Sequence, residues 1–377
     1  MATKKPKKSI KILLSGGGTM GSVMPLVAIK EELEKSKKDY RFFWIVTQKG
    51  PEREFLKNQG EKFKPIFSGK LRRYFDPRNF SDPIFILWGF FQSLYIIFKF
   101  KPDLILSAGS FVSVPVAWAG FVFRKPILIH QMDIRPGLAN ILMAPLAKKI
   151  TVGFKKSLQD YPAYKTVWTG NPIRNNLKEQ NLAVLPNKIK LNSQLPTVLI
   201  MGGGTGAAAI NKLVIKSLPK LLKFCQVIHI TGKGKASFLN DLKHKNNSLF
   251  STSGYFPFEF LADLSGVYKV SQAVVSRCGI GSLSELAFLG KPAILIPLPE
   301  SHQEENAQVF QEAEAAIVLN QKELFFDVDI LVANIKEILY NKKLSERLSK
   351  NISLLAKKNA SEEIAQNICE VLNKVKK

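Results

Sequence analysis

The 377-residue chain is poor in three things, and each shortage excludes something. It has three cysteines, Cys225, Cys278 and Cys369, at no metal-ligand spacing and too few for a disulfide framework. A cysteine-built zinc site and a disulfide-stapled secreted fold are therefore disfavoured, and a reducing compartment is expected. Acidic residues are also scarce: 30 Asp+Glu stand against 55 Lys+Arg, a formal charge of +25. Such a surplus suits anionic partners, whether nucleic acid, an acidic membrane surface or phosphorylated substrates, and it also serves plain solubility. Nucleic acid is the weakest of these, because no zinc spacing, aromatic RNA-binding signature or basic recognition helix accompanies the charge.

Long apolar runs are the third shortage. The basic start, MATKKPKKSIKILLSGGG, has an apolar part too short for a signal-peptide core and reads as a strand. Ile84 to Phe98 is apolar over 15 residues, short of the ~20 a helix needs to cross a bilayer, so no membrane span is expected there. Two readings stand for this segment. It is a core helix, apolar all round, or a helix with part of its surface dipping into lipid. Arg72 and Arg73 upstream, the aromatic Trp88, Phe90 and Phe91, and the closing Lys99 and Lys101 have the composition of an interfacial patch on anionic lipid.

What the chain does have is two glycine-rich turns at matching points of two similar halves. Ser15-Gly-Gly-Gly-Thr-Met-Gly-Ser22 follows the apolar run Ile10–Leu14, and Gly202-Gly-Gly-Thr-Gly-Ala207 follows Val198–Met201. A strand-like run before and a helix-like run after is the context in which a glycine cluster cradles phosphate on a helix N-terminus. Elsewhere short apolar stretches alternate with helical patterns. In the first half these are Phe42–Val46, Leu104–Ser107, Ile127–Ile129, Ile150–Val152 and Thr166–Trp168, with a helix over Pro25–Ser36. In the second half they are Val227–Thr231, Ala273–Ser276 and Ala293–Pro297. The alternation implies an α/β protein of two doubly wound parallel-sheet domains facing a cleft, with ligand sites at the carboxyl ends of the strands. A polar stretch over 170–197 marks the linker. Domains are expected at 1–175 and 176–377, with a last helical stretch from about Leu344 to Lys377.

Seven motifs fall in the order of one known family. They are Gly17-Gly-Thr-Met-Gly-Ser-Val-Met-Pro25, Ala108-Gly-Ser-Phe-Val-Ser113, His130-Gln-Met-Asp133, Gly170-Asn-Pro-Ile-Arg174, Gly202–Ala207, Ser276-Arg-Cys-Gly279 and His302-Gln-Glu-Glu-Asn-Ala307. Nearly the whole chain resembles the MurG-type glycosyltransferases, which add N-acetylglucosamine to an undecaprenyl-pyrophosphoryl-muramyl-pentapeptide lipid in peptidoglycan synthesis. The resemblance implies the GT-B fold, the nucleotide-sugar donor on the C-terminal domain, the lipid acceptor on the N-terminal one, and a final helix, about 355–377, that crosses back. It also implies an inverting, metal-free and cofactor-free transfer that forms a β-1,4 bond and releases UDP, at the cytoplasmic face of the cell membrane.

The same resemblance supplies residue roles. Gly204, Thr205, Ile280, Gly281 and Ser282 meet the diphosphate, Arg174 the nucleotide-diphosphate end, Glu285 the ribose, the Leu261 backbone the uracil and Gln303 the sugar hydroxyls. Thr19, Met20 and Gly21 also contribute to the donor site, and Asn306 supports the Gln303 loop. For Glu285 a second reading stands, since Ser282-Leu-Ser-Glu285 is also a capping box.

This chain departs from the family at several points. Ser22 occupies the place of a histidine that is a candidate general base. His130-Gln-Met-Asp133 replaces His-Glu-Gln-Asn, and Asp133 becomes a candidate base, or merely a partner for a sugar hydroxyl. Gly204 replaces a serine, and Met20 a glycine. Three functional readings follow: the cell-wall N-acetylglucosaminyltransferase, a same-fold glycosyltransferase with another lipid acceptor, and a catalytically inactive binder of nucleotide sugar or acidic lipid. The partners expected are UDP-N-acetylglucosamine, an undecaprenyl-linked lipid and an anionic membrane surface, with no nucleic acid.

Overall fold

The structure, a computed structural model, describes residues 9–69, 78–178, 185–202, 208–232, 234, 254–261 and 263–375. The chain divides into two compact units, Met1–Arg174 with Lys357–Lys377, and Asn175–Ala356.

Unit 1 is built on a parallel sheet of β1 (Ile10–Ser15), β2 (Tyr40–Thr47), β3 (Phe63–Ile66), β4 (Leu104–Ser107), β5 (Ile127–Gln131), β6 (Lys149–Val152) and β7 (Thr166–Trp168). Its order is β3-β2-β1-β4-β5-β6-β7, with Leu14 in register with Trp44 on one side and Leu106 on the other. Unit 2 carries β8 (Thr197–Met201), β9 (Gln226–Ile230), β10 (Tyr255–Phe258), β11 (Ala273–Ser276), β12 (Ala293–Leu295) and β13 (Ile317–Val318), also parallel, ordered β10-β9-β8-β11-β12-β13. Each sheet reverses strand order beside its first strand, between β1 and β4 and between β8 and β11. In a doubly wound fold that switch point is where ligands bind, at the carboxyl ends of the strands.

The central strands are unbroken apolar runs because both faces of a parallel sheet are covered. Ile12, Leu13 and Leu14 are fully buried, as are Val198, Leu199 and Ile200. The edge strands β3 and β10 escape the sequence reading for a common reason: each carries a proline, Pro65 or Pro257, that breaks the strand pattern. A proline lacks the N–H for a ladder bond and is tolerated at an edge.

The helices that matter to the site and its surroundings are, in unit 1, α1 (Met24–Glu34), α2 (Glu52–Asn58), α3 (Arg78–Phe100), α4 (Ser113–Val122) and α5 (Leu138–Met143). Unit 2 contributes α6 (Ala208–Leu221), α7 (Ser265–Val270), α8 (Ile280–Leu289), α9 (His302–Glu312) and α10 (Lys342–Ser353). The expected single helical stretch from Leu344 is two helices, α10 and α11 (Ala360–Val375), and α11 packs against α1. The break has a physical anchor at Lys357. Its ammonium donates to the Trp168 carbonyl (2.9 Å) and to Glu363 (3.0 and 3.1 Å), and lies 4.5 Å from the Trp168 ring centroid.

The length argument against a membrane span does not hold. α3 runs 23 residues, and Asp82–Phe100 is long and apolar enough to cross a membrane by length and composition, although only 22% of that stretch is buried. What distinguishes it from a free span is its inner stripe. Ser93, Ile96 and Ile97 are buried, and Phe90 and Leu94 pack against the unit 1 core. Phe90 therefore lies on the inward face and leaves the expected lipid patch. The outward stripe is Ile84, Leu87, Trp88, Phe91, Tyr95 and Phe98, all more than half exposed. It continues onto the end of α4, where Phe98 and Phe123 have ring centroids 6.5 Å apart and Phe121 and Val122 are exposed. Arg72 and Arg73 lie outside the described residues.

Candidate functional site

In unit 1 the glycine turn after β1 is tied down by side chains. The Ser22 hydroxyl accepts from Gly17 N (3.0 Å) and lies 3.3 Å from the Gly17 carbonyl, to which it donates. Ser110 donates to that same carbonyl (2.7 Å), and Ser113 to the Ser15 carbonyl (3.0 Å), so the turns after β1 and β4 are stitched across the switch point. Gly18 has φ +80, and a Cβ there would lie 2.9 Å from the Phe111 ring, so the position needs glycine twice over. Thr19 and Gly21 are exposed and Met20 half-buried on the short 3-10 turn Met20–Ser22 that leads into α1.

Sequence reasoning missed the residue beneath this turn. Glu52, at the start of α2, is fully buried, and its Oε1 accepts from Gly18 N (3.1 Å), Thr47 N (3.2 Å) and the Thr47 hydroxyl. It joins the ends of β1 and β2. Its only sequence signal is Gly50-Pro-Glu52, a helix start with an acid in the first turn.

Asp133 stands half-buried in the turn that leaves β5. The strand beneath holds His130, fully buried, with Nδ1 2.9 Å from the Thr151 hydroxyl and Nε2 3.0 Å from Asn171 Oδ1. Burial pushes the His130 imidazole down to about 4, so it is neutral at physiological pH and structural in character. Asn171 donates in turn to the Met132 carbonyl (3.2 Å), linking the Asp133 turn to the Gly170–Arg174 segment. Arg174 is half-buried and has no ion-pair partner among the described residues.

In unit 2, Gly202 is buried at the end of β8, while Gly204 and Thr205 lie outside the described residues. The helix after β11 is better defined. α8 begins behind Gly279 with no side-chain cap, and a Cβ at Gly279 or Gly281 would meet nothing within 4 Å. The first N–H groups of the helix, from Ile280 to Ser282, carry the positive end of the helix dipole with no side-chain cap at the N-cap residue, beside glycines whose side-chain side is open. The capping-box reading fails, because the helix starts ahead of Ser282 and places that serine inside its first turn. Glu285 instead accepts from the Tyr268 hydroxyl of α7 (3.0 Å).

Asn306 of α9 is buried and donates to the Cys278 carbonyl (3.1 Å), bracing the turn that starts α8. Arg277, 5% exposed, donates to the carbonyls of Ile296 and Pro297 (3.0 and 2.9 Å), fixing the exit of β12. Beyond that exit Gln303 accepts from Leu298 N (3.2 Å) in the first turn of α9, which Ser301 caps. Leu261 is half-buried ahead of α7. Among the described residues no group of His, Cys, Asp and Glu is placed to hold a metal ion.

Comparison with known proteins agrees with this construction. Residues 12–152 match the glycosyltransferase family 28 N-terminal domain and residues 197–368 its C-terminal domain. The chain is 37% identical over 333 residues to the UDP-N-acetylglucosamine--N-acetylmuramyl-(pentapeptide) pyrophosphoryl-undecaprenol N-acetylglucosamine transferase of Lachnospira eligens, covering 87% of this chain and 90% of that one. It is 39% identical over 319 residues to the enzyme of the same name from Clostridium botulinum, covering 83% and 87%. Among solved structures, Acinetobacter baumannii MurG superposes with TM-score 0.72 at 22% identity over 96% of this chain and 99% of that one. A UDP-GlcNAc 2-epimerase from Neisseria meningitidis bound to UDP-GlcNAc shares the fold with TM-score 0.66 at 17% identity, over 96% and 100%. With both domains matched in order and the curated relatives covered almost end to end, this chain belongs to glycosyltransferase family 28, among its MurG-type transferases.

Proposed function

We infer that this protein is an inverting N-acetylglucosaminyltransferase. It moves the sugar of UDP-N-acetylglucosamine to the undecaprenyl-pyrophosphoryl-N-acetylmuramyl-pentapeptide lipid in peptidoglycan synthesis. The observation that carries this reading is the named relatives at 37–39% identity, matched across both domains. The two carboxyl edges supply parts of the required chemistry.

The donor belongs to unit 2. The uncapped start of α8 offers the Ile280, Gly281 and Ser282 N–H groups to the diphosphate, which carries the negative charge that grows as UDP departs. Glu285, already oriented by Tyr268, accepts from the ribose hydroxyls. Leu261 offers backbone atoms to the uracil, and Gln303 meets the sugar hydroxyls. From the end of unit 1, Arg174 offers a permanently charged fork of the kind that suits a nucleotide diphosphate.

The acceptor belongs to unit 1. Asp133 takes the proton from the attacking muramyl hydroxyl, the oxygen forms its bond to the anomeric carbon opposite the departing UDP, and the configuration inverts. The Ser22 hydroxyl, spent on Gly17, has no basic nitrogen to offer and shapes the turn instead. The outward stripe of α3 and α4 dips into the membrane interface, as a contiguous apolar surface rimmed by the exposed Lys99, Lys101 and Arg124 does on anionic lipid. This keeps the lipid-linked substrate within reach.

Radiolabelled UDP-N-acetylglucosamine, offered with the muramyl-pentapeptide lipid, tests the reading. Label in that lipid with stoichiometric UDP supports it. Label only in other lipids assigns another acceptor, and donor binding without transfer makes the protein a binder.

A further inference from the structure

Asp133 sits on a turn whose backbone is held from beneath by two buried amides. Asn171 grips the Met132 carbonyl, as described above. Gln131, the last residue of β5 and 1% exposed, grips the next part. Its Nε2 donates to the carbonyls of Asp133 (2.8 Å) and Arg135 (3.0 Å). Its Oε1 accepts from the Tyr161 hydroxyl (3.0 Å) and from the Asn140 amide. Both amide hydrogens and both oxygen lone pairs are thus used, which is the full capacity of a glutamine side chain.

We propose that Gln131 is the positioning residue of the acceptor-side turn: its amide fixes the Asp133 backbone and thereby sets the orientation of the Asp133 carboxylate. Donating to both carbonyls while accepting on the oxygen requires an amide. A carboxylate at position 131 has no hydrogens for the two carbonyls and would set a second negative charge inside the turn. Gln131 and Asp133 are also two of the positions at which this sequence departs from the family pattern, with the carboxylate moved from the buried root of the turn to its half-buried tip. The two replacements are coupled by the geometry. Titratable and charged groups around the turn among the described residues include His130 beneath it, Tyr161, and Arg135, which is paired with Asp160 at 3.0 Å.

The proposal rests on reading Asp133 as the general base, and its test separates the two claims. The full-length protein is compared with Gln131→Glu, Asp133→Asn, the double variant and Tyr161→Phe. The Asp133 carboxyl is followed by carbon NMR, its resonance assigned by its loss in Asp133→Asn, alongside the pH profile of kcat and the donor KM. In Gln131→Glu the Asp133 midpoint rises by about one pH unit through the added like charge. The acid limb of kcat moves with it, and donor KM changes less than about twofold. The double variant, with its one carboxylate at the buried root and none at the tip, stays at least as slow as Asp133→Asn. Tyr161→Phe removes a single partner of Gln131 and lowers kcat about threefold at constant donor KM, which keeps the proposal testable where Gln131→Glu fails to fold.

An Asp133 titration unchanged in Gln131→Glu overturns the positioning role. If Gln131→Glu does not fold, a wild-type titration and kcat in Tyr161→Phe overturn it. Full turnover by Asp133→Asn overturns the base, and the NMR titration still decides the positioning role.

Discussion

At the carboxyl edge of the unit 1 sheet, side chains from two other segments and from the turn's own end tie the glycine turn down. At the same edge of unit 2, the N-terminus of α8 is left bare. Ser22, Ser110, Ser113 and Glu52 between them occupy the backbone of residues 15–18. Gly279 and Gly281 have open space where a Cβ would stand, and the helix start behind them has no side-chain cap. Both sites flank the switch point of the same strand order, one after the first strand and the other after the strand beside it, so the strand order alone does not explain the contrast. The ligand proposed for each edge does: a diphosphate is bound by free backbone N–H groups, whereas proton transfer needs a carboxylate held in one orientation. Among the described residues, unit 1 fixes the turn after its first strand, and unit 2 leaves the start of α8 without a side-chain cap.

The largest expected effect breaks the catalytic half of this contrast. Asp133→Asn lowers kcat by about 10²- to 10⁴-fold, the usual worth of a general base, with the donor dissociation constant unchanged. Single-turnover kinetics with saturating donor check it. Next is the face outside both edges. Trp88→Ser with Phe91→Ser weakens binding to anionic vesicles about tenfold and leaves the melting temperature within a degree or two, because both side chains are exposed. Phe90→Ser, one residue away, instead destabilises the fold by about 3 kcal/mol through loss of core packing. Sedimentation with vesicles and thermal melts on the same variants separate the two outcomes.

A smaller effect concerns acid. His130 in unit 1 and His229 in unit 2 are each fully buried, and burial lowers them from 6.5 to about 4 and about 3. His229 is bridged between the Tyr255 hydroxyl (2.9 Å) and Asn211 (3.1 Å), a parallel to His130 between Thr151 and Asn171. The unfolded chain binds these protons more readily than the folded one. The histidine contribution is therefore fully present above pH 6.5 and is lost as pH falls toward 4 and then 3. Urea midpoints drop on acidification over that window, and the slope is shallower in His229→Gln. The smallest effect is at Ser22: Ser22→Ala costs about 1 kcal/mol of stability and a few-fold in turnover, because the hydroxyl only closes the turn.

How much of this was legible in the sequence depended on whether a residue's partners lie nearby in the chain. Central strands such as Ile10–Ser15 and Leu104–Ser107 announce themselves because an unbroken apolar run is a local signal. Pro65 and Pro257 hid two edge strands, since the rule against proline in a strand lapses where no neighbour needs the N–H. The length of α3 was misread by counting only apolar residues, although Arg78–Asp82 continue the same helix. Motif resemblance singled out Asp133, Arg174 and the start of α8 as candidates, but not the residues that support them. Glu52 reaches Gly18, 34 positions away, and Gln131 reaches Tyr161, 30 positions away, and neither pairing has a periodicity to betray it. Glu285 shows the converse, a local capping pattern overridden by a tertiary partner, Tyr268.

The division of labour between the two edges is tested most directly by titrating UDP into the full-length protein and two variants, Gly281→Leu and Ser22→Ala, in a calorimeter. The leucine enters open space, so the fold tolerates it while the mouth of α8 is blocked. UDP affinity is predicted to fall at least about tenfold in Gly281→Leu, the scale of one well-placed anion contact, and to change less than about twofold in Ser22→Ala. Equal affinity in Gly281→Leu and wild type, or a larger loss in Ser22→Ala, would contradict the account.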